Sequence, residues 1–249
     1  YGVTVPAARI AVTAGASGAL LLVLAVYVDP GDEILLPDPG YPGYRQFVRA
    51  FEGVPRTIEV RAESDFQPTV DSVERAWGPK TRGLLVGSPS NPSGTLLARA
   101  ELRRIAQFVA ARGGVLIVDE IYQGLVYAEA PSTALDLPGD VVLVNSFSKY
   151  FSMVGWRLGW LLAPKRDLAR ARAYVGNLFL TAPSLSQHAG LAAMDATDEL
   201  EGHVAVYRAN RELLLKALPS LGLKEIAPPD GAFYIYADIA HLTDDSLGF

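Results

Sequence analysis

The grouping best equipped for chemistry is Ser146-Phe147-Ser148-Lys149, a hydroxyl-rich loop between two strongly apolar runs, Val141–Asn145 and Leu158–Leu162. A lysine held in such a place is partly desolvated and its pKa is lowered, which favours Schiff-base chemistry with a carbonyl compound. On a fully exposed loop the same residue would be an ordinary solvated cation. Arg157, eight positions later, carries a planar fork able to grip a phosphate beside Ser146 and Ser148; the plainer alternative is an ion pair at a strand edge. Asp119 closes the apolar run Val115-Leu116-Ile117-Val118, an expensive position for a carboxylate unless a cation or donors meet it. A protonated heterocycle is one such partner, and a helix cap or a structural ion pair is another. Tyr122 could aim its phenol into the same crevice or simply pack with a wet hydroxyl. Asn91 sits in the turn-rich loop Ser88–Thr95, where it is either a turn residue or a polar contact. Gly15-Ala16-Ser17 offers backbone N–H groups and a helix N-terminus to a phosphate, or is a tight turn that needs small residues. The G-x-G-x-x-G pattern is not matched, which argues against a nicotinamide dinucleotide. His188, His203 and His241 show no ligand-like spacing, so no metal site is expected.

Positioning these residues is the task of an alternation of short β-branched runs and longer helical patterns, the pattern of an α/β layered domain. The expected strands are Ile10–Thr13, Glu33–Leu36, Thr57–Val60, Gly83–Val86, Val115–Val118, Val141–Asn145 and Leu158–Leu162. Their near-continuous apolar character suits a mostly parallel seven-stranded sheet with helices on both faces. Helices are expected over Gly18–Val28, Gly43–Ala50, Val70–Trp77 and Ala98–Ala111, and the chain reads as helical from Pro164 to Leu218. Two connections, Tyr122 to Asp140 and Ser146 to Gly155, have no helical pattern. Beyond Leu218 the chain is punctuated by Pro and Gly before an alternating segment, Ala232–Ile239, expected as a strand. Residues 1–218 thus form one unit, and 219–249 begin a second, incomplete one. In open α/β sheets ligands lie outside the carboxyl ends of the strands. The polar residues named above follow the first, fourth, fifth and sixth strands, so they should converge on one crevice.

Composition narrows the remaining options. With 22 basic and 27 acidic residues among 249, the net charge of -5 leaves no basic surplus to neutralise a nucleic-acid backbone. The chain has no cysteine, which excludes disulfides, thiolate metal sites and a cysteine nucleophile, and a cytoplasmic setting is favoured. The uncharged stretch Ile10 to Val28 approaches the length of a bilayer span, but Gly15, Ser17 and Gly18 divide it into a strand-turn-helix unit, so no membrane association is expected. No basic segment precedes a short apolar one at the start, as a secretory signal requires. The chain opens without Met and stops at Phe249 within a continuing pattern, which reads as a piece of a longer protein.

Taken jointly, these segments resemble the fold-type I pyridoxal-phosphate enzymes, specifically the class I and II aminotransferases. The carriers are Thr13–Leu20, Pro37-Asp38-Pro39-Gly40-Tyr41-Pro42, Ser90–Thr95, Val118-Asp119-Glu120-Ile121-Tyr122, and Ser146-Phe147-Ser148-Lys149 followed by Gly155-Trp156-Arg157-Leu158-Gly159, in the family's order along nearly the whole chain. The resemblance implies that Lys149 forms a Schiff base with pyridoxal 5'-phosphate and later moves the proton between substrate Cα and cofactor. It implies that Asp119 pairs with the pyridine N–H, that Asn91 and Tyr122 hydrogen-bond the ring's phenolic oxygen, and that Tyr41 stacks on the ring. Gly15, Ala16, Ser17, Ser146, Ser148 and Arg157 would hold the phosphate. The implied fold is the family's large domain plus the start of a small α+β domain; the implied substrates are an amino acid and a 2-oxo acid, and the implied assembly is a homodimer.

The pattern departs from the family at both ends. About the first quarter of a typical member would precede Tyr1, and the arginine that usually grips the substrate carboxylate would follow Phe249. The same lysine machinery serves β-lyases and decarboxylases of this fold, and an aminotransferase-like sensor domain occurs in some transcription regulators. Transamination is the expected activity, with these as its alternatives.

Overall fold

The uncharged stretch at the start folds as strand β1 (Ile10–Thr13) followed directly by helix α1 (Gly15–Tyr27). Leu20, Leu22, Val23 and Leu24 are all at most 2% exposed, because α1 lies against the sheet on one side and under another helix on the other. A helix covered on both sides has no polar face to display, which is why this segment is as apolar as a membrane span. Among the described residues no helix is long and apolar enough to cross a membrane. The computed structural model describes residues 2–127 and 132–249.

The remaining elements are β2 (Glu33–Asp38), α2 (Gly43–Ala50), β3 (Val54–Glu59), α3 (Val70–Ala76), β4 (Thr81–Gly87), α4 (Arg99–Ala111), β5 (Val115–Asp119), β6 (Val141–Ser146), β7 (Gly159–Leu162), α5 (Lys165–Leu178), α6 (Ser184–Ala193) and α7 (Thr197–Ala217). The strands form one seven-stranded sheet in the order β1-β7-β6-β5-β4-β2-β3. β7 runs antiparallel to both β1 and β6, and every other neighbouring pair is parallel. The carboxyl ends of the parallel strands therefore share one rim, and the reversed β7 brings the residues preceding it, Arg157 among them, to that same rim.

Side chains alternate across the sheet as the pleat requires. Ile34, Leu36, Leu85, Ile117, Val142 and Val144 face α1, α2 and α5, while Leu35, Leu84, Val86, Leu116 and Val118 face α3 and α4. Tyr27 Oη donates to Asp167 Oδ2 at 2.7 Å and ties α1 to α5. Burial of both faces makes the central strands continuous apolar runs.

The expected elements are present with three corrections. α1 begins at Gly15 rather than Gly18, so the expected turn is itself the helix's first turn. The region after Pro164 is broken into α5, α6 and α7, with a short 3-10 turn at Leu218–Leu221. Ala232–Ile239 is not a strand: it makes one isolated bridge, Ile226 with Ala237, and Gly231 beside it bridges Val126. The two bridges, one within the segment and one beside it, are to different partners and do not extend into a ladder. The expected connection from Tyr122 to Asp140 holds a 3-10 turn at Ala134–Asp136, and its residues 128–131, like Tyr1, lie outside the described residues.

Candidate active site

The rim encloses a cavity of about 330 Å³. Its lining includes nine of the expected residues: Ala16, Ser17, Tyr41, Asn91, Asp119, Tyr122, Ser148, Lys149 and Arg157. They come from the ends of different strands, as the topology demands.

Asp119 is the last residue of β5 and 4% exposed. Its Oδ2 accepts from Tyr44 Oη at 2.9 Å and its Oδ1 from the Ile121 backbone N–H at 3.1 Å. Burial pushes its carboxyl up to about 6, against the lowering effect of those two bonds. Two neutral donors and no cation meet it among the described residues. A cationic partner at this carboxylate would favour its charged form.

Lys149 is half-buried in the loop after β6. Burial lowers its pKa, and the Arg157 guanidinium lowers it further. Its Nζ lies 5.7 Å from the centre of the Tyr122 ring and 5.4 Å from that of Phe233, and among the described residues it forms no ion pair with a carboxylate. This is the setting in which a lysine can act as a neutral nucleophile.

Arg157 donates to the Val154 carbonyl at 3.0 Å through one nitrogen. No carboxylate among the described residues pairs with it, so the rest of its fork is available. It reaches across to Gly15: a Cβ built on Gly15 would stand 2.6 Å from Arg157 Nη2, and Gly15 has φ +73°. The left-handed conformation favours a residue without a side chain, and a Cβ here would push the guanidinium aside. The first-turn N–H groups of α1 and this guanidinium thus converge on one spot, an anion-binding arrangement.

Ser148 lines the cavity, but Ser146 does not. Ser146 Oγ donates to the Leu158 carbonyl at 3.0 Å and accepts from the Ser148 backbone N–H at 3.0 Å, with Ser148 Oγ 2.8 Å away. It therefore stands behind Ser148 and fixes the loop that presents Lys149.

Two hydroxyl-bearing lining residues were not anticipated. Tyr44 is 5% exposed in the first turn of α2, where its spacing from Val48 reads only as a core-facing stripe. Tyr234 comes from the segment after α7, and its Oη lies 2.5 Å from Tyr122 Oη. Nothing in the local sequence connects either to the expected site, because both depend on contacts between distant segments. Glu120, beside Asp119, points away from the cavity. It accepts from Thr133 Oγ1 at 3.0 Å and from the Ala134 N–H at 2.6 Å, and burial pushes it up to about 8.

Comparison with known proteins converges on one family. A family model described as aminotransferase class I and II matches residues 1–247. The chain is 42% identical to a valine–pyruvate aminotransferase of Mycobacterium tuberculosis, over 100% of this chain and 65% of that protein. It is 34% identical to an aspartate/prephenate aminotransferase of Thermus thermophilus, over 99% of this chain and 65% of that protein. Among solved structures, an aminotransferase from Mycobacterium tuberculosis superposes with a TM-score of 0.96 at 42% identity, covering 100% of this chain and 65% of that one. Thermus thermophilus aspartate aminotransferase with maleate superposes at 0.91 and 31% identity, covering 98% and 65%. The chain spans about 65% of the length of these relatives.

Proposed function

The chain belongs to the class I and II aminotransferases, and from that premise we propose that it carries the cofactor-binding part of a pyridoxal 5'-phosphate-dependent transaminase. The enzyme moves an amino group from an amino acid to a 2-oxo acid in two half-reactions. The carrying observation is that Lys149, Asp119 and Arg157, none of them in an ion pair among the described residues, line one cavity. An amine, a carboxylate and a guanidinium set apart in this way match the aldehyde, ring nitrogen and phosphate of a single molecule.

When bound, pyridoxal phosphate supplies an aldehyde that takes the substrate's amine and a ring that accepts the electron pair released at Cα. The chain's own residues do the rest. Arg157, Ser148 and the amides of Ala16 and Ser17 hold the phosphate, with Gly15 leaving room for the guanidinium. Ser146 acts one step behind, by fixing Ser148. Asp119 holds the proton on the ring nitrogen. Asn91 and Tyr122 donate toward the ring oxygen, and Tyr41 covers the ring. Lys149, its pKa depressed by burial and by Arg157, takes and returns the proton at substrate Cα as a neutral amine.

The same proposal keeps residues 1–218 as the large domain and 219–249 as the beginning of a small one, supported by the change after α7 from helix to Pro- and Gly-punctuated chain. It also takes the enzyme to be a cytoplasmic homodimer of amino-acid metabolism. The exposed apolar side chains Leu178, Leu180, Leu185 and Leu191 support the dimer. The test is the absorbance of the purified full-length protein during titration with a panel of amino acids. Transamination predicts conversion of the cofactor to its amine form by a preferred donor and reversal by a 2-oxo acid. Release of pyruvate and ammonia from a β-substituted amino acid, without that conversion, would replace it with a lyase.

A further inference from the structure

We infer that Tyr234 is a positioning residue for the reaction, acting through the hydroxyl of Tyr122. The inference rests on the function proposed above and extends it to a residue from the region after α7.

The two phenol oxygens lie 2.5 Å apart, the length of a strong O–H···O bond. The rings meet edge to face, with centroids 5.5 Å apart at 76°, so packing and hydrogen bond fix the same orientation. The backbone that delivers Tyr234 is clamped from two sides. Gly231 N–H donates to the Gly94 carbonyl at 2.8 Å, in the loop that also carries Asn91. Ala232 N–H donates to the Leu125 carbonyl at 2.8 Å, in the turn that carries Tyr122. A Cβ on Gly231 would lie 2.4 Å from the Pro89 side chain, so the segment approaches as closely as a glycine allows. Tyr234 is thereby tied to both loops whose side chains would meet the ring oxygen.

The consequence follows from hydrogen-bond chemistry. A phenol has one proton to donate. If Tyr122 gives its proton toward the cofactor's ring oxygen, the bond between the tyrosines must be donated by Tyr234, and a phenol that accepts one hydrogen bond is a better donor of the next. Burial disfavours ionisation of Tyr122 most strongly, beside Tyr234 itself; the Asp119 carboxylate disfavours it as well, and the Asn91 side chain favours it. Lys149 lies over its ring, and Tyr44 donates to the Asp119 carboxylate nearby.

The experiment is an absorbance titration against pH of the lysine-cofactor chromophore in the full-length holoprotein and its Tyr122→Phe, Tyr234→Phe, double and Tyr127→Phe variants. Tyr127 holds the same segment, donating to the Ala232 carbonyl at 2.5 Å, without touching the Tyr122 hydroxyl. A stronger donor to the ring oxygen lowers the chromophore's pKa, so loss of Tyr122 raises it, by about one pH unit. Tyr234→Phe should raise it by about half as much, and the double variant should match Tyr122→Phe alone, because Tyr234 acts only through its neighbour. Tyr127→Phe should leave it in place. A Tyr234→Phe titration that coincides with wild type, a shift that adds to that of Tyr122→Phe, or an equal shift in Tyr127→Phe overturns the inference. A Tyr122→Phe variant that shifts nothing overturns the assignment of Tyr122 itself and the inference with it.

Discussion

Tyr44 and Asp119 lie 75 residues apart in sequence, and the phenol of the first donates to Oδ2 of the second across 2.9 Å. The bond joins the first turn of α2 to the carboxyl end of β5 in the lining of the cavity. It lowers the Asp119 pKa against the burial that raises it to about 6, keeping more of the carboxylate charged near neutral pH.

Removing that donor should therefore matter most where Asp119 is close to protonation. Tyr44→Phe is expected to weaken pyridoxal phosphate binding about 3- to 10-fold at pH 6.5, and less at pH 8.5, where the carboxylate is ionised in either protein. Asp119→Asn should lose about 100-fold or more at both values. Dissociation constants measured by equilibrium dialysis at the two pH values check this. Equal losses for Tyr44→Phe at both would show that the phenol does not act on the carboxylate's charge.

Gly15 provides a second test, because its φ of +73° and the guanidinium 2.6 Å from its absent Cβ make separate demands. Gly15→Ala should cost about 1–2 kcal/mol of stability from left-handed backbone. Displacement of Arg157 should also cut phosphate-dependent affinity about 10- to 100-fold. The readout is the ratio of affinities for pyridoxal phosphate and for pyridoxal. Arg157→Ala should collapse the same ratio, and an unchanged ratio in both variants would remove the guanidinium from the phosphate site.

Much of this site is legible in the amino-acid order because its residues are tied to strand ends. Asp119, Asn91, Lys149 and Gly15 each follow an apolar run that can only be a buried strand, and a parallel sheet brings such ends together. Tyr44 is hidden because a tyrosine in an amphipathic helix looks like packing, and only the neighbouring of β2, β4 and β5 carries it to Asp119. Tyr234 is hidden for a different reason. Its segment alternates like a strand, yet it is held by separate hydrogen bonds to two loops, a tertiary arrangement with no periodic signature. Ser146, whose type and position suit a phosphate ligand, stands just behind the cavity lining, with its hydroxyl 3.0 Å from the Leu158 carbonyl and 2.8 Å from Ser148 Oγ.

Glu120 predicts a pH dependence of stability. Burial raises its pKa from 4.5 to about 8 in the folded chain. Between those values the folded state binds more protons than the unfolded one, so stability falls as pH rises, by up to about 1.4 kcal/mol per pH unit. Glu120→Gln can still accept from the Ala134 N–H and can donate to Thr133 Oγ1, but it has no proton to lose. Its melting temperature relative to wild type should therefore rise as pH is raised from 5.5 to 8. Parallel melting profiles over that range would mean that Glu120 is already ionised in the folded protein.

The account stands most directly on the amine of Lys149. Borohydride reduction of the full-length holoprotein, followed by peptide mapping, should fix a pyridoxyl group on Lys149 alone, and Lys149→Ala should take no label. A label on another lysine, or none in a protein that retains bound cofactor, would contradict it.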